Sequence, residues 1–295
     1  MATLNIHKGM DHVAQSLPFT PGGKIFLVGT TAQVGANAII EKFGHTIDSW
    51  YPTGTAAVAA CTASRGDVIL IAPNYTETIS TGTQFAIDKI GVSVIGLGEG
   101  ANRPTFSLSA TTSTIAMSAA SCKFSNCILI ATVNNVAAGI TVSAADCSID
   151  IETRDTSATV EFISPIVTTA AANRLIIKWK HIGFLAGAVG TRGIDLVGAE
   201  TATIDVDYFG ASSTAVVNMR TTASDNVRVT GKFHNGTTNL AKDVLDSVGT
   251  STWSAKGFDV VAGAEFGGGS GAALAIDDAS AIAALLVAPT ADSTT

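Results

Sequence analysis

The chain has 295 residues, of which 46% are apolar and 14% charged, and its formal net charge is −7. An acidic chain with no Lys/Arg cluster interleaved with aromatics excludes a nucleic-acid groove. Its longest clean apolar run, Ala281 to Ala288, is too short for a membrane span. With 29 Gly, abundant Thr, Ala and Val, and few aromatics, the composition is β-rich with small side chains that stack closely.

Residues 1–23 read as an extended arm: they are polar, carry Pro18, Pro21, Gly22 and Gly23, and have no sustained period. Met1 to Gln15 contain no apolar h-region, so no signal peptide is expected. Residues 24–65 hold a strand, Lys24-Ile-Phe-Leu-Val28, an irregular stretch, and an Ala-rich helix over Thr55 to Ser64 opened by Thr55. Strands follow at Gly66-Asp-Val-Ile-Leu-Ile-Ala-Pro73, Tyr75 to Ile79 and Val92 to Ile95. From there to about Val248 the pattern is short strands separated by Gly, Asn, Ser and Thr turns. Residues 251–295 form a C-terminal cap, with a Gly267-Gly-Gly-Ser-Gly271 linker and a helix, Ala279 to Val287, capped by Asp277 and Asp278 and ended by Pro289.

One phrase returns through the middle. Ile115-Ala-Met-Ser-Ala-Ala-Ser-Cys122-Lys-Phe124 matches Ile140-Thr-Val-Ser-Ala-Ala-Asp-Cys147-Ser-Ile149 at an offset of 140 − 115 = 25. It continues, loosened, at Ile166, Ile194 and Val216. A repeat of this size built from short alternating strands points to a solenoid. Its second strand aligns Ile149, Ile177, Ile204 and Val227, and two positions on Ile151, Trp179, Val206 and Val229. Alternation puts these on one face. The opposite face then carries Asp150, Lys178, Asp205 and Arg228, and one step out Glu152, Lys180, Asp207 and Thr230, a ladder of alternating sign. Stacked strands lie about 4.8 Å apart, so roughly 180 residues at ~25 per coil give about seven coils and a rod of roughly 35 Å.

The segments Ala59-Ala-Cys-Thr-Ala-Ser-Arg-Gly-Asp-Val-Ile-Leu-Ile-Ala-Pro-Asn-Tyr-Thr-Glu-Thr-Ile79 and Gly91-Val-Ser-Val-Ile-Gly-Leu-Gly-Glu-Gly-Ala-Asn-Arg-Pro104 resemble the opening coils of pectin-lyase-like right-handed β-helices. The Cys-Thr-Ala helix before them is similar to structural proteins of tailed bacteriophages. The resemblance spans roughly residues 24–250. It implies an all-β, single-stranded right-handed parallel β-helix over 66–250, with an N-terminal arm and short capping helices. It says less about function, because the fold serves lyases, tailspikes and capsid decoration alike.

Polysaccharide-cleaving members use carboxylate pairs, so Asp150 with Glu152 and Asp205 with Asp207 are the candidates. Lys178 and Lys180 lie in the coil between them and would lower the pKa that a general acid needs raised. A structural ladder is therefore expected, with no catalytic residues. Arg154, Arg174 and Arg192 lie near turns and read as solvated. Gly96-Leu-Gly-Glu-Gly100 is followed by Arg103-Pro104 rather than a helix, which excludes a phosphate loop. His7, His12, His45, His181 and His234 are scattered, so neither metal nor cofactor is expected. Asn74-Tyr-Thr76 and Asn235-Gly-Thr237 match glycosylation sequons without a secretion signal. Trp50, Tyr51 and Trp253 lie outside the repeats and suit either interface anchors or end-cap core. Cys61, Cys122, Cys127 and Cys147 form no paired metal array. Cys122 and Cys147 share a repeat slot, as stacked small hydrophobes or a disulfide, with reduced thiols favoured.

The expected function is a non-enzymatic virion structural protein, a capsid decoration or cement protein assembled in the host cytoplasm. Its arm would bind the major capsid protein or another shell protein, and it would associate as a homotrimer. The alternative is a tailspike or receptor-binding protein that recognises, or also cleaves, a surface polysaccharide.

Overall fold

The computed structural model describes residues 23–31, 50–185, 190–236, 242–260 and 264–269. Short strands wind into a parallel β-solenoid of about 8 turns with very little helix. In chain order they are β1 (Ile25–Val28), β2 (Trp50–Tyr51), helix α1 (Gly54–Ala60), β3 (Val68–Ile71), β4 (Thr76–Ile79), β5 (Phe85–Ile87), β6 (Ser93–Gly96), β7 (Thr105–Leu108) and β8 (Ile115–Met117). Longer strands follow: β9 (Lys123–Ala131), β10 (Val136–Val142), β11 (Ser148–Arg154), β12 (Phe162–Thr168), β13 (Ile176–Ile182) and β14 (Gly190–Leu196). The last are β15 (Thr203–Gly210), β16 (Ser212–Met219), β17 (Val227–Asn235), β18 (Lys242–Asp246), β19 (Trp253–Asp259) and β20 (Ala264–Gly269).

The odd-numbered strands from β9 onward stack in one sheet, continued by β6, β3, β1 and β2 at one end and by β19 and β20 at the other. The even-numbered strands from β8 to β18, with β5, stack in the second. The early coils have a third short side, because β4 pairs β7 and β7 pairs the far half of β9. At β9 two ladders merge into one strand, which accounts for its length. All of these pairings are parallel except β19 with β20. The glycines expected as a linker begin inside that strand, at Gly267 to Gly269. The expected C-terminal helix and residues 1–22 of the arm lie outside the described residues.

The core is a set of columns. Phe26, Ile69, Val94, Phe124, Ile149, Ile177, Ile204, Val229 and Ala255 stack in register, one per coil, and all are buried. On the second sheet Phe85, Ile115, Ile140, Ile166, Ile194 and Val217 do the same, and the half-buried Val244 continues the column. Two expected alignments are displaced. Val229, not Val227, lies beside Ile204, and Val217, not Val216, lies beside Ile194. The first puts Gly231 beside Val206. A Cβ on Gly231 would meet the Val206 carbonyl oxygen at 2.2 Å, so this backbone can approach Val206 only with glycine there. Trp179 needs a similar concession across the core, where a Cβ on Gly193 would sit 2.6 Å from its ring.

The repeat in the sequence is a repeat of turns. Gly66, Gly91, Ser121, Asp146, Arg174, Thr201 and Asn226 all take positive φ, between 53° and 78°. Each stands two residues before the ladder position shared by Val68, Ser93, Lys123, Ser148, Ile176, Thr203 and Arg228. The backbone N–H groups of Gly91, Asp146, Arg174 and Thr201 donate to Ala120, Asn173, Glu200 and Asp225 of the next coil at 2.7 to 3.0 Å. One left-handed residue per coil thus turns the chain into the first sheet and hydrogen-bonds to the coil above. The Ser-Ala-Ala-x-Cys phrase is this turn. Its first Ala position is buried at Ala119, Ala144, Ala172 and Ala199, and its Cys slot is filled by Cys122, Cys147, Leu175, Ala202 and Val227.

Helix α1 closes the N-terminal end of the core with Ala57 and Val58. Its N-cap is Thr53, whose hydroxyl accepts from Ala56 N at 3.2 Å, and it ends at Ala60. Thr55, expected to open the helix, instead donates its hydroxyl to the Gln84 carbonyl.

Candidate functional site

The entry motif folds into a support for α1. Asp67 is fully buried and accepts from Arg65 Nε and Nη2 at 2.6 Å, together with the backbone N–H groups of Lys24 and Thr62. Burial alone would raise its pKa; these four donors outweigh it and hold the carboxyl below its ordinary value. Glu77 lies under the first turn of α1, accepting from Gly54 N at 2.9 Å and from the Tyr75 hydroxyl at 2.8 Å. Burial pushes its pKa up despite these donors. Asp67, Tyr75 and Glu77 are therefore cap residues.

The candidate carboxylates lie in the expected register through three coils, with Asp150 beside Lys178 beside Asp205, and Glu152 beside Lys180 beside Asp207. In the fourth coil the slip brings Thr230 beside Asp205 and Lys232 beside Asp207, while Arg228 faces Thr203. Glu152 departs from the outward ladder. It is buried, takes Arg103 Nη2 at 2.6 Å from the 3₁₀ turn Gly100–Asn102 and its exit, and takes Arg154 Nε on its other oxygen. Burial would raise its pKa, but the two guanidiniums hold it below the usual range. The other arginines expected in solvent also find carboxylates. Arg174 grips Asp146 on the preceding coil at 2.6 Å, and Arg192 lies 4.0 Å from Asp195, which Arg220 also pairs.

A second cluster sits at the far ends of the same strands. Thr153 and His181 are register partners, and Thr153 Oγ1 lies 2.9 Å from His181 Nδ1. Trp179 Nε1 donates to the same hydroxyl at 2.9 Å. His181 Nε2 lies 3.2 Å from Asp155 Oδ2, and Tyr208 stacks on the imidazole at 5.0 Å. Glu161 is buried close by, with Oε2 unpaired; burial first, and then the Asp155 charge, push its pKa up. Glu77 and Glu161, the acids with raised pKa, lie outside the carboxylate pairs that the sequence singles out. This cluster was missed although its signal was present: extending the Ile149/Ile177 and Ile151/Trp179 columns two residues pairs Thr153 with His181. The arrangement can order a line of protons, but His181, Thr153 and Glu161 are all buried in the fold.

Among the described residues no group of three or more His, Cys, Asp or Glu side chains could hold a metal ion. No helix of the described residues is long and apolar enough to cross a membrane. His7, His12 and His45 lie outside the described residues, and His234 packs edge-on against Phe209 at 4.9 Å. The four cysteines are free and buried. Burial raises the Cys122 thiol to about 11 and the Cys61 thiol to about 12. Trp50 donates to the Gly29 carbonyl at 2.9 Å and Tyr51 packs on Phe26, which makes both end-cap residues. Gly96 serves close coil approach, since a Cβ there would lie 2.2 Å from the Asn126 carbonyl oxygen. Of the two sequons, Asn235 is buried, with its Oδ1 accepting from Ser212 N at 3.0 Å. A shallow cavity of about 300 Å³ is lined by Asn226, Val227, Arg228, Thr252, Trp253 and Ser254, at the opposite strand ends from the His181 cluster. No protein family matches the chain, and neither does any curated protein or solved structure.

Proposed function

We propose that the chain is a non-enzymatic structural protein of a tailed-phage virion, a capsid decoration or cement protein held to the shell through residues 1–23. One observation carries the reading. Among the described residues the two carboxyls whose environment raises their pKa are built into the fold, Glu77 beneath α1 and Glu161 beside Asp155, while the exposed Asp150, Asp205 and Asp207 stack with lysines. A glycosidase needs a raised-pKa acid and a second carboxylate open to the same sugar. The solenoid supplies a rigid rod, and the resemblance of its entry motif supplies the phage context.

The test has two arms. Incubation with capsule, lipopolysaccharide and pectin-type polymers should release neither reducing ends nor unsaturated products. Turnover abolished by Asp150→Asn or Asp205→Asn would overturn the non-enzymatic reading. Deleting residues 2–20 should leave a folded rod that no longer binds its particle, and full binding by the truncated chain would remove the arm's role.

A tailspike or receptor-binding role is the second reading. It is favoured by the cavity that sets Trp253 beside Arg228, Asn226 and Thr252, an aromatic face among polar groups of the kind that binds sugars. Trp253→Ala abolishing glycan binding would promote it.

A further inference from the structure

The outward face of the first sheet carries a pattern with a consequence for assembly. On β13 and β15 it presents Ile176, Lys178, Lys180 and Ile182 beside Thr203, Asp205, Asp207 and Phe209, in register and all exposed. Ile182 is 36% and Phe209 40% exposed. Among the described residues none of the two lysines or two aspartates has an ion pair within 4.0 Å. One coil is therefore doubly positive and the next doubly negative.

We infer that this face is a two-fold interface for a second copy of the chain, with the rods antiparallel and the dyad running along the strands between β13 and β15. Such an axis keeps each position along the strand and exchanges the two coils. Lys178 then faces Asp205 of the second copy, Lys180 faces its Asp207, and Ile182 faces its Phe209. Symmetry doubles each contact, giving four ion pairs flanked by two apolar contacts. Facing sheets pack about 10 Å apart, a gap that an extended lysine opposite an aspartate fills.

Other axes do worse. A dyad between β15 and β17 pairs Asp207 with Lys232 but sets Lys178 against Lys256. A dyad through β13 or β15 lays lysines on lysines or aspartates on aspartates. Parallel rods, whether two-fold or three-fold about this face, bring equal coils together with the same result. A homotrimer would therefore need a different flank.

The chosen dyad has one cost at its rim, where the Arg103–Glu152–Arg154 cluster faces Lys232 of the second copy. Strands β11 to β17 make a face of roughly 440 Å² from strand spacing and rise. Two such faces bury roughly 900 Å², at the weak end for specific association. The dimer is thus a micromolar one, selected by charge and dissociated by salt. The inference does not depend on the virion reading.

The test is sedimentation of the full chain at about 200 µM in low salt, repeated in about 0.5 M salt, where the Debye length falls well below 10 Å. A dimer that salt weakens is expected. Lys178→Asp with Lys180→Asp should weaken it roughly 100-fold, and so should Asp205→Lys with Asp207→Lys. Mixing these two double variants should restore a dimer, because one face is then wholly acidic and the other wholly basic. That rescue also shows that both variants are folded. A monomer under these conditions, a trimer, a dimer that either variant leaves intact, or a mixture that fails to associate would overturn the interface.

Discussion

Thr153 Oγ1 receives the indole N–H of Trp179 and lies 2.9 Å from Nδ1 of His181, on the neighbouring coil. An indole nitrogen can only donate, so the hydroxyl accepts from Trp179, and its second contact, with Nδ1, runs in the direction the imidazole tautomer sets. On the other edge of the ring, Nε2 lies 3.2 Å from Asp155 Oδ2. Thr153→Val keeps the shape and removes the relay, leaving an indole N–H and an imidazole nitrogen unpaired in the core. It should cost about 2–4 kcal/mol in urea unfolding, whereas Thr153→Ser should cost under ~1.5 kcal/mol. Equal losses would mean that packing, not hydrogen bonding, holds this layer.

The alternation on β13 sets two neighbouring residues apart. Trp179 is fully buried and Lys178 exposed. Trp179→Ala should lose about 3–5 kcal/mol. Lys178→Ala should lose under ~1 kcal/mol in dilute, monomeric samples, since exposed pairs contribute little. Equal midpoint shifts for the two in urea melts would remove the in/out assignment.

The left-handed column makes an opposite kind of prediction. Thr201, a β-branched residue, is held at φ 57°. Left-handed backbone costs an L-residue roughly 1–2 kcal/mol. Thr201→Gly should therefore be neutral or stabilising by up to ~1 kcal/mol, although glycine is normally the poorer residue in ordered backbone. Gly231→Ala should go the other way by more than ~2 kcal/mol, because its Cβ would overlap a carbonyl. Thermal melts of the two variants give the comparison directly.

The solenoid was legible because its columns are written one residue per coil. Ile149, Ile177 and Ile204 needed only a constant offset to be aligned, and the structure stacks them. The alignment failed at the next coil because Gly231 stands beside Val206, and a glycine gives no apolar signal in a column of hydrophobes. The charged ladder was read from alternation alone, so Glu152 was placed on the outside. One of its two partners, Arg103, comes from a turn 49 residues earlier, a contact that no local period encodes. The His181 cluster lay one step beyond the aligned positions, at strand ends where inward-pointing residues become polar.

Acid and neutral stability should separate Glu152 from Glu77. Glu152 has a folded pKa below the ordinary value, set by Arg103 and Arg154 against the opposing effect of burial. Its stabilisation is fully present above the unfolded carboxylate value of about 4.3 and is lost as pH falls through the folded value. Glu152→Gln should therefore cost about 3 kcal/mol near neutrality, since it strands two guanidiniums, and should cost little in strong acid. Glu77 has a folded pKa raised by burial, so its folded form prefers the proton. Its ionisation destabilises the fold progressively as pH rises from about 4.3 to the folded value, and by a constant amount above it. Glu77→Gln keeps a carbonyl acceptor for Gly54 N and the Tyr75 hydroxyl, so relative to the parent it should gain stability across that window. Urea unfolding at intervals from about pH 3 to 8 reads both. A Glu152→Gln penalty that is the same at both ends of the range would remove the ion-pair account, and a Glu77→Gln variant that loses ground as pH rises would remove the burial account.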